Sequence, residues 1–460
     1  MSNFGPALAV GDVNGDELDD FYFGGASGQE GVLFLQTKKE TFQATEQISF
    51  IEDRLSEDMD AVFFDANNDQ HLDLYVVSGG NEFSKDDPAL YDRLYLNNGQ
   101  GIFTKSNNLI PEMSTSGACV TIADYDKDGD QDIFVGGRLI PRQYPLPASS
   151  HLLRNDNGKF TDLTEDLAPD LLNLGLVTDA VWTDFDSDGA TDLVIVGEWM
   201  PIRFFKNEGG ILNKVTNATL DNTKGWYYSI IAEDFDKDGD IDFVAGNMGL
   251  NYKYKASIES PFELYTDDFD NNGMRDIVLS YYEDGELVPL RGRSCSAEQI
   301  PGIGEKFPTY ASFGAANLRD VYGEKLDDAL NLKATTFASS YLENIGSGEF
   351  KIKKLPQAAQ VSSINTIIAK DFNEDGHLDL LLAGNLYPVE IETPRNDASI
   401  GLYMTGDGKG NFLPIPWRQS GFFAPHDVKQ MKLMRLGKNN KPFVLVANNN
   451  YWIQAIGYKK

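Results

Sequence analysis

An acidic nonapeptide, Asp-x-Asp/Asn-x-Asp/Asn-x-x-x-Asp, recurs seven times in this chain, starting at Asp12, Asp65, Asp124, Asp184, Asp234, Asp268 and Asp371. The clearest copy reads Asp124-Tyr125-Asp126-Lys127-Asp128-Gly129-Asp130-Gln131-Asp132. Internal repetition on this scale points to an array of like units, so the 460 residues are expected to form one domain, 1–460, rather than several unlike ones. Short apolar, β-branched runs flank the acids, as in Ala180-Val181-Trp182-Thr183 before one copy and Leu193-Val194-Ile195-Val196-Gly197 after it. These runs predict strands, and the loop between them joins a hairpin. A second hairpin with an Asn/Gly turn follows in most repeats, at Leu94–Phe103, His151–Phe160, Phe204–Leu212 and Tyr341–Phe350. Four antiparallel strands per repeat make one blade, and the expected fold class is an all-β, seven-bladed β-propeller.

The blade count follows from first hairpins beginning near residues 7, 60, 119, 179, 227, 365 and 428. The last is a degenerate copy, Leu436-Gly437-Lys438-Asn439-Asn440-Lys441, where lysines would stand in for a metal. Asp268 is out of step, 34 residues after Asp234 and 103 before Asp371. It belongs either to an eighth blade, the alternative count, or to an extra hairpin in a partly helical insertion. That insertion is expected over 248–333, within or after the fifth blade, with helical spacing at Ala315, Leu318, Tyr322, Leu326 and Leu330.

The loop chemistry is that of a hard cation. Side-chain oxygens at positions 1, 3, 5 and 9, with a main-chain carbonyl at position 7, supply the all-oxygen shell that Ca²⁺ takes. The candidate metal ligands are Asp12, Asn14, Asp16 and Asp20; Asp65, Asn67, Asp69 and Asp73; Asp124, Asp126, Asp128 and Asp132; and Asp184, Asp186, Asp188 and Asp192. The later copies supply Asp234, Asp236, Asp238 and Asp242; Asp268, Asp270, Asn272 and Asp276; and Asp371, Asn373, Asp375 and Asp379, for up to seven ions. Gly129, Gly189, Gly239, Gly273 and Gly376 occupy position 6, where a positive φ costs little, whereas Glu17 and Gln70 take that place in the first two copies. Weaker sites are expected there. An EF-hand begins similarly but needs Glu at position 12 and flanking helices; position 12 here is Phe23, Val135 or Ile195.

With 39 basic against 71 acidic residues the formal charge is -32, which disfavours nucleic acid and anionic membrane as partners. Seven Ca²⁺ would bring it to about -18. A hydrophobic share of 41% and an aromatic share of 12% are too high for a disordered acidic chain. No apolar run approaches the roughly 20 residues of a membrane helix, so direct membrane insertion is not expected. Met1-Ser2-Asn3 runs straight into the first repeat without a signal-peptide pattern, as an excised segment would. The two cysteines, Cys119 and Cys295, imply no disulfide framework.

The acidic loops followed by Phe23-Gly24-Gly25-Ala26, Val135-Gly136-Gly137 and Leu382-Ala383-Gly384 resemble FG-GAP/VCBS repeats, the calcium-bearing blades of integrin α-like propellers. Gly5-Pro6-Ala7-Leu8-Ala9-Val10-Gly11-Asp12 and Lys333 through Ser340 resemble the C-terminal propeller of large bacterial surface proteins that carry ASPIC/UnbV-type modules. The resemblance implies bound Ca²⁺, an extracellular, cell-surface or outer-membrane-associated setting, and a place within a larger multidomain surface protein.

If calcium loops occupy one face, the second-to-third strand loops emerge on the other. There Arg138, Tyr144, Glu198, Trp199, Asn247, Tyr252, Asn385 and Tyr387, with Arg291 and Arg293 from the insertion, are candidate ligand-binding residues for a glycan or protein. The main reading is a non-enzymatic binding module. The alternative is a carbohydrate-active enzyme, a glycoside hydrolase or lyase using surface carboxylates. Zinc and nucleophile motifs are missing from the sequence, and Gly406-Asp407-Gly408-Lys409-Gly410 is a hairpin turn rather than a phosphate loop.

Overall fold

The computed structural model describes residues 4–346, 348–389 and 393–458; Met1-Ser2-Asn3 lies outside them. Each acidic loop joins two antiparallel strands, as the flanking apolar runs require. Sheet 1 is built from Leu8–Gly11, Asp20–Phe23, Val32–Gln36 and Phe42–Thr45, hydrogen-bonded in chain order. Sheet 2 (Glu57–Phe64, Asp73–Gly79, Arg93–Asn97, Phe103–Lys105) and sheet 3 (Ser116–Ala123, Asp132–Leu139, His151–Asp156, Lys159–Asp162) repeat the same meander. So do sheet 4 (Leu176–Thr183, Asp192–Met200, Arg203–Asn207, Leu212–Lys214) and sheet 6 (Thr366–Lys370, Asp379–Ala383, Leu402–Gly406, Phe412–Ile415). Sheets 4 and 5 are linked where Glu198 pairs with Trp226 and Met200 with Gly225.

Sheet 5 is interrupted. Its first two strands, Gly225–Glu233 and Asp242–Asn247, are completed only by Ser340–Asn344 and Phe350–Lys354. The intervening chain folds a further four-stranded sheet, ordered Glu286–Pro289, Asp276–Glu283, Phe262–Asp267, Leu330–Ala334, and the Asp268 loop is the tip of its central hairpin. The helical spacing expected up to Leu330 is broken: short helices span Tyr310–Gly314 and Leu318–Tyr322, a 3-10 turn spans Gly323–Asp327, and Leu330 opens a strand. Leu318, Val321 and Leu326 face Phe269, Val278 and Phe313 in a separate small core, which shields that side of the inserted sheet.

A second departure is sheet 7, which has three strands, Val428–Leu436, Lys441–Asn448 and Gln454–Gly457, among the described residues. Its degenerate hairpin holds no lysine in place of a metal. Lys441 instead pairs with Glu40 of sheet 1 at 2.7 Å, and Arg435 pairs with Asp19 at 2.7 Å.

The first strands of sheets 1 to 7 are neighbours in cyclic order, the strand at Val428 returning to the one at Leu8. Between successive sheets lie separate apolar cores. Leu33, Leu74, Tyr95 and Phe103 fill the junction of sheets 1 and 2; Leu8, Phe21, Met434 and Phe443 fill that of sheets 7 and 1. Inner strands crowded round an axis with wedge-shaped cores between sheets make a β-propeller. Five of the first strands carry a β-bulge or a register shift near the start, as between Asp58 and Asp60 and between Val177 and Asp179. The extra residue turns the strand toward the axis. There a cavity of about 240 Å³ is lined by Asp60, Asp179, Ser229, Thr366 and Gln430 among others.

Candidate metal centres

Every acidic loop is wound by its own carboxylates. The position-1 aspartate accepts the amide of position 6 through Oδ2 in all seven copies, at 2.8 to 3.2 Å. The position-3 side chain accepts the amide of position 5, as Asn14 does from Asp16 at 3.0 Å and Asp126 from Asp128 at 3.3 Å. Such a wrap needs left-handed backbone at two places. Position 6 has φ between 67° and 99° in every copy, including Glu17 at 67° and Gln70 at 69°, so both copies lacking the glycine keep the turn. Position 4 is also left-handed, from Ser187 at 59° to Gly15 at 72°. The sequence reading missed this second position. Lysine and glutamate occupy it in some copies, which hides the signal.

The wrap gathers oxygens. In four loops one oxygen from each of three aspartates lies within 4.8 Å of the others: Asp124, Asp126 and Asp132; Asp184, Asp186 and Asp192; Asp234, Asp236 and Asp242; and Asp268, Asp270 and Asp276. In the other three loops Asn14, Asn67 and Asn373 hold the third position, so an amide oxygen replaces one carboxylate. The position-9 aspartate is the buried member. Asp20, Asp73, Asp132, Asp192 and Asp379 are fully buried at the start of their second strands.

Burial dominates the electrostatics. It pushes Asp20, Asp132 and Asp192 up to about 7, and Asp73 and Asp242 to about 6. Amide donors partly offset it, such as Val13 N to Asp20 at 3.2 Å and Gln36 N to Asp20 at 2.7 Å, while neighbouring loop carboxylates add to it. Carboxylates crowded this closely with no basic side chain among them are stabilised as anions by a cation. One loop differs, since Lys206 reaches Asp186 and, at 2.9 Å, Asp188. The oxygen-only donor set fits a hard divalent ion, Ca²⁺ rather than zinc or copper.

The third strand supplies a further element that the sequence reading missed. Asn97, Asn207 and Asn344 end the third strands of sheets 2, 4 and 5, and Asn155 is the last residue but one of that of sheet 3. Each Nδ2 donates to the loop of the preceding sheet, at Val13 O (2.7 Å), Ala66 O (3.0 Å), Tyr125 O (2.7 Å) and Phe185 O (2.8 Å). Each also donates to the carbonyl just before its own position-9 aspartate, while its backbone amide goes to that aspartate's Oδ1. One asparagine therefore ties together two adjacent loops. An Asn before each Gly-containing turn is visible in the sequence, but it is the expected turn signal and hides this role.

The opposite face is built around an aromatic and ionic cluster. Arg138 pairs with Glu198 at 2.9 Å, and its guanidinium lies 3.8 Å over the Phe4 ring. Trp199 Nε1 donates to Tyr144 Oη at 2.7 Å, and its ring stacks on Phe262 and meets Trp226 edge-on. Tyr252 also meets Trp226 edge-on, at 6.0 Å. The structure thus brings Arg138, Tyr144, Glu198, Trp199 and Tyr252 together. Asn247 is buried, its Oδ1 accepting from Trp226 N and Met248 N. Asn385 and Tyr387 sit elsewhere, both donating to Pro425 O near sheet 7. Arg291 and Arg293 lie in the insertion, Arg293 donating to Phe307 O and Gly304 O. Arg138, Glu198, Trp199, Asn247 and Asn385 are all buried, so they do not themselves present a surface to a ligand. The inserted sheet covers Trp199, whose ring stacks on Phe262.

A family model described as FG-GAP-like repeat matches residues 12–76, 65–135 and 184–245. The chain carries FG-GAP-like repeats. The matched segments contain the loops at Asp12, Asp65, Asp124, Asp184 and Asp234. No curated protein matches the chain. Among solved structures it is similar to BBS1N in complex with ARL6DN, at 10% identity over 100% of this chain and 93% of that one, with a TM-score of 0.47. It is also similar to the V. cholerae biofilm matrix protein Bap1 (11% identity, 99% and 88% coverage, TM-score 0.39) and to the Dos1 propeller (12%, 99% and 93%, 0.43). Likenesses this low leave the architecture resting on the strand pairing described above. No helix among the described residues is long and apolar enough to cross a membrane.

Proposed function

We propose that this FG-GAP-repeat chain is a calcium-stabilised, seven-bladed propeller acting as a secreted or cell-surface binding module within a larger protein, for a glycan or protein ligand on the face opposite the calcium loops. One observation carries the calcium reading: seven loops share one hydrogen-bonded wrap, and each presents only oxygen donors around a buried aspartate. The cyclic order of first strands supports seven blades with the 248–333 region as an insertion inside the fifth. In each FG-GAP loop the residues at positions 1, 3, 5 and 9 would hold the ion. Bound Ca²⁺ would neutralise the clustered carboxylates and rigidify the hairpin tips. Extracellular modules bind calcium at about 10⁻⁴ to 10⁻³ M, which suits the outside of a cell. On the opposite face, half-buried Tyr144 and Tyr252 are the groups a ligand would meet, with Trp199 holding Tyr144 through its 2.7 Å hydrogen bond and Tyr387 and Arg291 as outlying candidates.

Equilibrium dialysis against ⁴⁵Ca tests the first part, with up to seven ions per chain expected; uptake near zero at millimolar calcium would reject it. A glycan array and a protein pull-down with the calcium-loaded chain test the second. Binding lost on Tyr252→Ala supports that face, whereas binding indifferent to Tyr252→Ala and Tyr144→Ala places the ligand elsewhere.

A further inference from the structure

The wrap of each acidic loop spends some side-chain oxygens and leaves others for an ion. In all seven loops the position-3 side chain accepts the amide of position 5 through Oδ1. The position-5 side chain likewise accepts the amide of position 7 through Oδ1. Where both residues are aspartates, in the third, fourth and fifth loops, two Oδ2 atoms remain for a cation. In the fourth loop a lysine holds both. Lys206 Nζ is bonded to Asp186 Oδ2 and, at 2.9 Å, to Asp188 Oδ2. Among the described residues no other loop has a lysine or arginine paired with its position-3 or position-5 acid.

The cause lies on the third strand. Lys206 stands one residue before Asn207, and the same place is Leu35, Leu96, Arg154, Glu343 and Thr405 in sheets 1, 2, 3, 5 and 6. This place faces position 3 of the loop in its own sheet, since Arg154 is among the charges acting on Asp126 and Glu343 among those acting on Asp236. Arg154 is drawn to Asp156 at 3.2 Å, and Glu343 brings a carboxylate paired with Lys353. Only in sheet 4 does an ammonium close on the loop. A second lysine reaches it from the neighbouring sheet, Lys127 at position 4 of the third loop donating to Gly189 O. Two ammonium groups bring the charge of one divalent ion. Lys237 bonds Gly376 O in the same way, but no ammonium joins it on the acids of that loop.

Resting on the calcium reading of the other loops, we propose that Lys206 is the built-in cation of the fourth loop, standing on the oxygens that calcium uses elsewhere. The loop at Asp184 is closed without an ion and fills last. Calcium has to displace the lysine before it reaches Asp186 and Asp188. Extracellular modules bind at about 10⁻⁴ to 10⁻³ M, so a competing pair that weakens binding by about tenfold leaves this loop largely unfilled below about 1 mM calcium. Sheet 4 therefore keeps one hairpin tip that does not respond to calcium. That tip is bonded to sheet 5 through Asn344 Nδ2 and Phe185 O at 2.8 Å, so the link between these two sheets persists when the other loops lose their ions.

The test counts ions per chain by equilibrium dialysis against ⁴⁵Ca at about 0.5 mM free calcium. The full chain is compared with Lys206→Leu, Lys206→Gln, Asp186→Asn and the double variant Lys206→Leu with Asp186→Asn. Leucine is what sheets 1 and 2 carry at this place, and Lys206→Gln serves should Lys206→Leu fail to fold. Each single Lys206 variant should bind one ion more than the parent, and the double variant should lose that ion again. Asp186→Asn alone should leave the parent's count unchanged. Melting curves give a second readout: Lys206→Leu should widen the gap between the calcium-loaded and EDTA-treated chains. Equal ion counts in the parent and both Lys206 variants overturn the proposal, as does an ion lost from the parent on Asp186→Asn or an unchanged melting gap. Equal counts above zero reject this inference alone, whereas parent and variants that all bind none reject it together with the calcium reading.

Discussion

At the residue scale, the buried aspartate at position 9 and the asparagine that answers it do most to hold adjacent sheets in register. Asn155 is 1% exposed; its Nδ2 meets Ala66 O and Gln131 O, and its Oδ1 accepts from Gly158 N at 2.7 Å. Asn155→Ala leaves buried carbonyls unpaired and should lower unfolding free energy by about 1–3 kcal/mol, read by urea denaturation. The aspartates predict a pH dependence whose sign is opposite to the usual carboxylate case. Asp20, Asp132 and Asp192, raised to about 7, bind protons in the folded calcium-free chain that the unfolded chain has already released. Stability of the calcium-free protein should therefore fall as pH rises from about 4 to about 7. Calcium needs the deprotonated form, so its affinity should rise over the same window. Melting curves with and without EDTA at pH 5 and pH 7.5 check both trends. If the calcium-free chain were instead more stable at the higher pH, the burial of these carboxylates would be wrongly placed.

At the scale of the element, the loop works because two left-handed residues let the chain coil round its own side chains. Gln70 holds φ 69° at a place where other copies use glycine. Gln70→Gly should stabilise the chain by about 1 kcal/mol, since a non-glycine residue pays roughly 1–2 kcal/mol there and glycine pays some of that back in backbone entropy. Asp126→Ala should remove one ion from the bound count and leave the rest. The strands around these loops were legible in the sequence. So were the hairpins at Leu94–Phe103 and His151–Phe160, because alternation and Asn/Gly turns are local signals. The end of the insertion was not, since Leu330 continues the helical spacing of Leu318, Tyr322 and Leu326 and equally opens a strand alternation with Leu332, and its pairing with Thr266 decided the outcome.

At the scale of the whole molecule, junctions rather than single sheets carry stability. The buried pair of Arg93 and Asp58, 2.7 Å apart and 4% and 2% exposed, links sheets 1 and 2 together with the Tyr22 hydroxyl. Arg93→Met would strand a buried carboxylate and should cost about 3–5 kcal/mol, measured by chemical denaturation. Chelation should lower the melting temperature of the intact chain substantially, because the loops of sheets 1 to 4 are each bonded to the next sheet; a melting curve indifferent to EDTA would remove calcium from the account.

Oxygen ligands, their spacing, the strands around them and the repeat that makes a propeller were all written locally in the chain. A nonapeptide dictates its own turn wherever it lies. Which asparagines bind across sheets, where the Asp268 hairpin docks, and why Arg138, Glu198 and Trp199 turn inward depended on residues far away in sequence. Those are questions of which surfaces meet, and only the closed packing of one sheet against the next answers them.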